Sequence, residues 1–594
     1  MYLPELTPIP QSRLFTDAFG GYNHNLKIAS GEWYDEQNLS SSYYPLFSQR
    51  DRRGVIATLT SPQGLLSKEA LMYVDGATLY YNGAAVSGIT LSTDAGMIPK
   101  TLVSMGAYAV IFPDKVYVNT ANLTDYGNLD ATFESIEDAD VSYQMCRDDG
   151  TTYPTIANIS ATAPTDPANG DYWIDTSAAT HVLKQYSVSS AMWVAIPTVY
   201  VRIGYAGIGT NFAQYDGVTL SGCSYTGDNA TLGAQIAALN TDCIVYARGD
   251  DYIVVVGVLD QTYTQQSGSV TVKRECPSLD FVTESNNRLW GCKYGMVNGK
   301  AVNEIRACKL GDFKNWNVFM GISTDAYTVT VGTDGKFTGA IAHLGYSLFF
   351  KEGCIHKIYG DMPSEYQVQT TMCRGVQEGS HLSLAIVNEM LFYKSRADVC
   401  AYDGALPTSV SDALGTEPYS GAVAGVLGSK YYVSMKDAAN AWHLFVYDVA
   451  RGMWHREDNT RVMQFAQTKG DLLYINYTTK VLTSVSGAQG TLESSLAWNA
   501  TSGIMGYEYP FAKYISRFNI RVKLAAAATI TLYIEYDSAG GWVNMGTYTG
   551  NALTQTFTIP VIPRRCDHLR LKLEGVGDVK VYSIARVLEQ GGDG

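Results

Sequence analysis

The sequence predicts an all-β protein: a β-propeller of about six to eight blades, interrupted by one inserted small domain and followed by a C-terminal β-sandwich. Three observations carry this expectation. Apolar and polar residues alternate along most of the chain, the pattern of half-buried strands. Strand pairs return at steps of about 38 to 49 residues, the length of one four-stranded blade. The 594 residues include 56 Gly and 42 Tyr, with only 17% charged side chains, against ~25% in an ordinary soluble protein. Many glycines and aromatics with few charges suit short strands joined by tight turns.

The first hairpin is Leu71 to Tyr81, LMYVDGATLYY, turning at Asp75-Gly76, a strong two-residue turn signal. Ala107 to Val118, AYAVIFPDKVYV, turns at Pro113-Asp114. The phrase returns with Asn287 to Leu310, with Leu348 to Tyr359 (turn at Glu352-Gly353), and with Met390 to Tyr402 before Asp403-Gly404. Lys430 to Tyr447 and Asp471 to Val485 complete the series. The repeat is one of pattern and not of letters.

Two stretches break the period. Residues 141–275 read as an inserted α+β or β module. Ala163 to Val194 is turn-rich and then pairs strands around Trp173 and Trp193, and Ala230 to Leu239, ATLGAQIAAL, is the one helix candidate. Lys513 to Leu524, Thr529 to Tyr536, Thr554 to Ile559, Arg570 to Leu573 and Val579 to Val587 alternate cleanly and read as a separate sandwich. The expected division is 1–140 for the N-terminal segment and first blades, 141–275 for the insertion, 276–490 for the remaining blades and 491–594 for the sandwich.

A net charge of -14 argues against tight, sequence-reading contact with nucleic acid, which needs Lys and Arg on phosphates. It is compatible with a channel wall along which DNA slides without being held. The ten cysteines are scattered from Cys146 to Cys566 with no C-x-x-C pair, so free buried thiols made in a reducing cytoplasm are expected. The N-terminus has no basic and apolar leader and no apolar run reaches a membrane-spanning length, so neither signal-led secretion nor membrane anchoring is expected. Phosphate-loop, H-E-x-x-H and G-x-S-x-G signatures are all missing. Ser92-Thr93-Asp94-Ala95-Gly96 resembles one sialidase Asp-box, but Pro99 stands where the Trp belongs and no second copy follows. The expectation is no catalytic residue, no metal, no cofactor, and a chain that is not an enzyme.

Several phrases are similar to the tail nozzle family of short-tailed bacteriophages, also called tail tubular protein B or packaged-DNA stabilisation protein. They are Asn287-Arg288-Leu289-Trp290, then Asn303-Glu304-Ile305, then Lys309-Leu310-Gly311-Asp312-Phe313-Lys314-Asn315-Trp316, with Cys308 where the family has Ser. Phe350-Lys351-Glu352 before Ile355-His356-Lys357-Ile358-Tyr359-Gly360, and Val399-Cys400-Ala401-Tyr402-Asp403-Gly404 before Val410-Ser411, are similar too. So is the opening from Phe19-Gly20-Gly21 through Glu36-Gln37-Asn38-Leu39 to Tyr44-Pro45, whose close holds Arg50, Arg52 and Arg53. The resemblance covers most of 1–120 and 280–590. It implies a virion protein made in the host cytoplasm: a ring of six copies below the portal and adaptor rings, with a central channel for double-stranded DNA and neighbouring tail fibres or spikes.

On the residues themselves, Trp290, Trp316 and Trp454 read as blade-core anchors, and Asp312 and Asp403 as turn residues. Arg50, Arg52 and Arg53 are the residues expected to meet a partner ring or DNA phosphates. Two functions follow. The first is a tail nozzle that retains packaged DNA and lets it out during ejection. The alternative is a receptor- or carbohydrate-binding tail component facing the host cell surface, with Trp173 and Trp193 of the insertion as its ligand-facing aromatics.

Overall fold

A computed structural model describes residues 11–590, apart from 94–95, 97–98, 320–321 and 508–512. Among the described residues there are 54 strands and one α-helix, so the all-β expectation holds. Asp94 and Ala95 of the Asp-box-like phrase lie outside the described residues. The chain forms two compact units: 1–102, 335–357 and 369–594 in the first, and 103–334 with 358–368 in the second.

The first unit contains five small sheets that follow the chain as up-and-down meanders. One runs from Pro62–Lys68 through Ala70–Asp75 and Thr78–Tyr81 to Ala84–Ala85. The expected turn at Asp75-Gly76 forms, with Asp75 opposite Thr78 and Gly76 at φ 61°, where a side chain is disfavoured. The next begins with Gly339–His343 and Tyr346–Lys351, followed by Cys354–Tyr359 and Gln367–Met372. A third holds Ala385–Val387, Met390–Lys394, Val399–Tyr402 and Thr408–Ser409, and a fourth Ser420–Leu427, Lys430–Lys436, Trp442–Asp448 and Met453–Asp458. The last comprises Val462–Thr468, Asp471–Asn476 and Val481–Ser484. Its next strand is Gly54–Thr58, from the N-terminal part of the chain, antiparallel to Val481–Ser484. Trp454, 1% exposed, anchors one of the cores and donates its indole N–H to Val410 O at 2.7 Å.

The sandwich is also in the first unit, and it is not built from 491–594 alone. Gln11–Thr16, Leu39–Ser40 and Phe47–Gln49 join one of its sheets, pairing directly or through each other with Val579–Gln590. Glu32–Gln37 pairs with Ala497–Ser502 in the other. Residues 11–49, expected to lead into the first small sheets, therefore belong here. The physical reason is the core: Phe19, Trp33 and Phe47 pack with Trp498, Phe518, Ile520 and Leu573 in one apolar cluster. The second sheet runs on through Gly21–Tyr22, where Tyr22 opposes Trp454, into the meander ending at Met453–Asp458.

The second unit holds two further meanders. One is Thr101–Met105, Tyr108–Phe112, Val116–Asn119 and Asn122–Asn128; the other is Phe281–Ser285, Arg288–Val297, Lys300–Ala307 and Tyr327–Thr330. Trp316, 5% exposed, packs with Val110, Phe112, Leu289 and Phe313. Trp290 is 3% exposed and meets Tyr366 edge-on. The inserted module starts at Ala131 and runs to Arg274: two sheets of four and five strands, the helix Ala230–Ala237, and a small sheet of its own at 158–195. Asn229 caps the helix by accepting from the Thr231 and Leu232 amides, and Leu232 and Ile236 face the core.

Candidate functional site

The arginines expected to reach a partner or DNA are mostly not available. Arg50 is 6% exposed; its guanidinium donates to both carboxylate oxygens of Glu493 and, through Nε, to Asn38 Oδ1 at 2.8 Å. Arg53 is 5% exposed, with Nη2 2.5 Å from Glu457 Oε2 and Nη1 2.7 Å from Asp458 Oδ2. These carboxylates hold the Arg53 charge, and Arg53 in turn pulls the partly buried Asp458 carboxyl below its ordinary value. Buried, fully charged pairs of this kind fix chain geometry and leave nothing for an outside phosphate. Only Arg52 is exposed.

Of the insertion's two aromatics, Trp173 is corrected in the same way. Trp173 is 5% exposed, donates to Ser160 O at 3.0 Å and carries Lys184 Nζ 4.9 Å above its ring. It is core to the 158–195 sheet. Trp193 is half-buried, edge-on to Trp173 at 5.5 Å and to Tyr186 at 5.4 Å. Trp173 thus offers no open stacking face, while Trp193 keeps part of its surface exposed.

A more developed site lies in the sandwich, at a cavity of about 690 Å³. Its walls are the strand Gln11–Thr16, the loop 27–31, the segment 502–507 and Arg586 of Val579–Gln590. The loop is held close by Gly31, whose φ is 98° and where an added Cβ would lie 2.2 Å from Ala18 O, so that there is no room for a side chain. That approach sets Ser30 Oγ 3.0 Å from Thr16 Oγ1. Arg586 reaches both hydroxyls through Nη2, at 2.6 Å to Thr16 and 3.1 Å to Ser30, and Nη1 contacts Met505 Sδ at 3.2 Å. Its Nε is buried with no hydrogen-bond partner. The Tyr507 ring lies 5.7 Å from the guanidinium, and burial lifts its phenol above the ordinary range against the pull of Arg586.

Sequence reasoning missed this site, although one signal was present. Ile584, Arg586 and Leu588 share one face of an alternating strand, so an arginine stands where the pattern calls for an apolar residue. Among the described residues no three His, Cys, Asp or Glu side chains are grouped to hold a metal ion. No helix among them is long and apolar enough to cross a membrane.

No family model matches the chain. No curated protein matches it either. Solved structures do match. They include an exo-β-1,3-galactanase from Phanerochaete chrysosporium with galactose, at 7% identity and a TM-score of 0.21 over 51% of this chain and 95% of that one. A GH43 glycoside hydrolase whose active site was engineered to give both endo-xylanase and exo-arabinofuranosidase activity matches at 9% identity and a TM-score of 0.20, over 52% of this chain and 97% of that one. Raptor from Chaetomium thermophilum matches at 10% identity and a TM-score of 0.29, over 74% of this chain and 30% of its own length. Glycoside hydrolases stand among these neighbours, against the expectation that the chain is not an enzyme, and that expectation is withdrawn. At TM-scores of 0.20 to 0.29 the likenesses assign no substrate and no residue role to this chain.

Proposed function

We propose that this protein is a structural component of a short-tailed phage particle, a tail nozzle subunit. Copies of the chain, six to a ring, line a conduit below the portal and adaptor rings. Packaged DNA is retained there and passes out non-specifically during ejection. The observation that supports this most is the series of small four-stranded meanders, the last of which takes Gly54–Thr58 from the other end of the chain as a strand. Shared sheets of this kind tie distant chain segments together and leave few free edges, which suits a rigid wall. The nozzle-like phrases support the same reading, since Trp290 and Trp316 within them are both buried anchors. The net charge of -14 suits a wall that does not grip DNA. Mass spectrometry of purified virions, with antibody labelling in the electron microscope, tests it. The chain is expected at the distal end of the tail, and its absence from the particle would overturn the proposal.

A second reading, a glycan-binding tail component at the host surface, is favoured by the sandwich cavity, which pairs a buried charge with apolar walls. Glycan-array screening of the full chain tests it, with retention of defined glycans expected and a blank array contradicting it.

A further inference from the structure

We propose that the sandwich cavity binds a small organic carboxylate, which Arg586 receives. Five arginines are buried among the described residues: Arg50, Arg53, Arg274, Arg288 and Arg586. Arg50 pairs with Glu493, Arg53 with Glu457 and Asp458, and Arg274 with Asp216. Arg288 has no carboxylate but donates to three backbone carbonyls, those of Cys308, Asp325 and Ser323. Among the described residues Arg586 alone has neither a carboxylate nor a carbonyl as acceptor, only the Thr16 and Ser30 hydroxyls and the Met505 thioether, with the Tyr507 phenol beside it.

A guanidinium offers five N–H donors. Thr16, Ser30 and Met505 occupy three, which leaves the Nε–H and one Nη1–H. A thioether is a weak acceptor. A carboxylate arriving along the cavity would displace it and take a charge-assisted N–H bond from Nη1; a parallel pair forms once Nη2 also gives up one of its two hydroxyl acceptors. Glu32 also lines the cavity but is already engaged: its Oε2 accepts from Asn23 Nδ2 at 2.9 Å and from the Ala29 amide at 2.7 Å. Among the described residues no carboxylate accepts from the buried Arg586 guanidinium, and burying a charge without a partner of opposite sign is costly.

The rest of the cavity suits a body with an apolar face. Phe15 is 61% exposed and Ile504 58% exposed, both at the cavity. A volume of about 690 Å³ is that of a small-molecule site. Two sources share the required chemistry: a sugar acid, whose ring C–H face packs on such side chains, and an aliphatic or aromatic carboxylic acid. The proposal deepens the glycan-binding reading if the first holds, and it stands apart from the nozzle reading, which is decided in the particle.

The test uses the full chain and four acids, glucuronate, N-acetylneuraminate, hexanoate and benzoate, each beside its uncharged amide or methyl ester. Ligand-observed NMR and thermal shift are the readouts. At least one acid is expected to bind about tenfold or more tightly than its uncharged partner, as a charge-assisted contact with a buried guanidinium demands. Arg586→Met should abolish that difference and Arg586→Lys should reduce it. Ile504→Trp, at an exposed position on the rim, should weaken binding with the fold intact. Binding by sugar acids supports the glycan source and binding only by hexanoate or benzoate the apolar source; both uphold the site. If no acid binds at millimolar concentration, or acid and uncharged partner bind alike, the proposal is overturned. The acid-against-neutral comparison is made on the unmodified chain, so it decides the matter even where Arg586→Met does not fold.

Discussion

Arg53 and Glu457 lie 404 residues apart in the chain and 2.5 Å apart in the fold, with the same guanidinium also 2.7 Å from Asp458. One side chain thereby ties the segment entering Gly54–Thr58 to the strand Met453–Asp458. Replacing it takes the main counter-charge from buried Glu457, which keeps only Arg50 Nε at 3.8 Å, and from the partly buried Asp458; breaking such a pair costs about 3 kcal/mol. Arg53→Met is therefore expected to lower the denaturant midpoint sharply. Arg52→Ala, at an exposed position, should stay within about 0.5 kcal/mol of the unmodified chain. Equilibrium unfolding of both variants checks the contrast.

Gly31 holds one wall of the sandwich cavity. An alanine there would place its Cβ 2.2 Å from Ala18 O at a φ of 98°. Gly31→Ala is expected to cost about 1–3 kcal/mol and to separate Ser30 from Thr16. Thermal unfolding measures the first effect, and hydrogen exchange of residues 16–33 the second.

Trp173 acts on stability and not on ligand affinity. Truncating a large buried aromatic costs about 3–5 kcal/mol. Trp173→Ala should loosen the 158–195 sheet, and hydrogen-exchange protection should fall there while the sandwich amides keep theirs.

Acid should weaken the first unit through His356. The residue is fully buried, and burial, aided by the Lys351 charge, pushes its imidazole down to about 4 from 6.5. It is neutral in the fold while the unfolded chain takes up a proton below pH 6.5. Its contribution is complete above that pH and is lost as the pH falls toward 4, by on the order of 3 kcal/mol. Unfolding curves at pH 7.5, 5.5 and 4.5 should show the decline, and His356→Gln should flatten it.

Local signals in the sequence told the truth about local structure. Asp75-Gly76 forms its turn, Asn229 stands at the N-cap just before the expected helix, and Trp290, Trp316 and Trp454 are core. Long-range pairings left no such mark. Nothing around Leu14 indicates that its partner is Arg586, and nothing around Val55 points to Thr483. Arg50 and Arg53 read as exposed because their carboxylates lie more than 400 positions away. The cavity was hidden for the same reason, since its walls come from both ends of the chain.

The nozzle reading is tested most directly by electron microscopy of the intact particle. It predicts six copies of the chain around the tail axis at the distal end, enclosing an open lumen. A chain that is absent from the tail and remains monomeric when purified would contradict it.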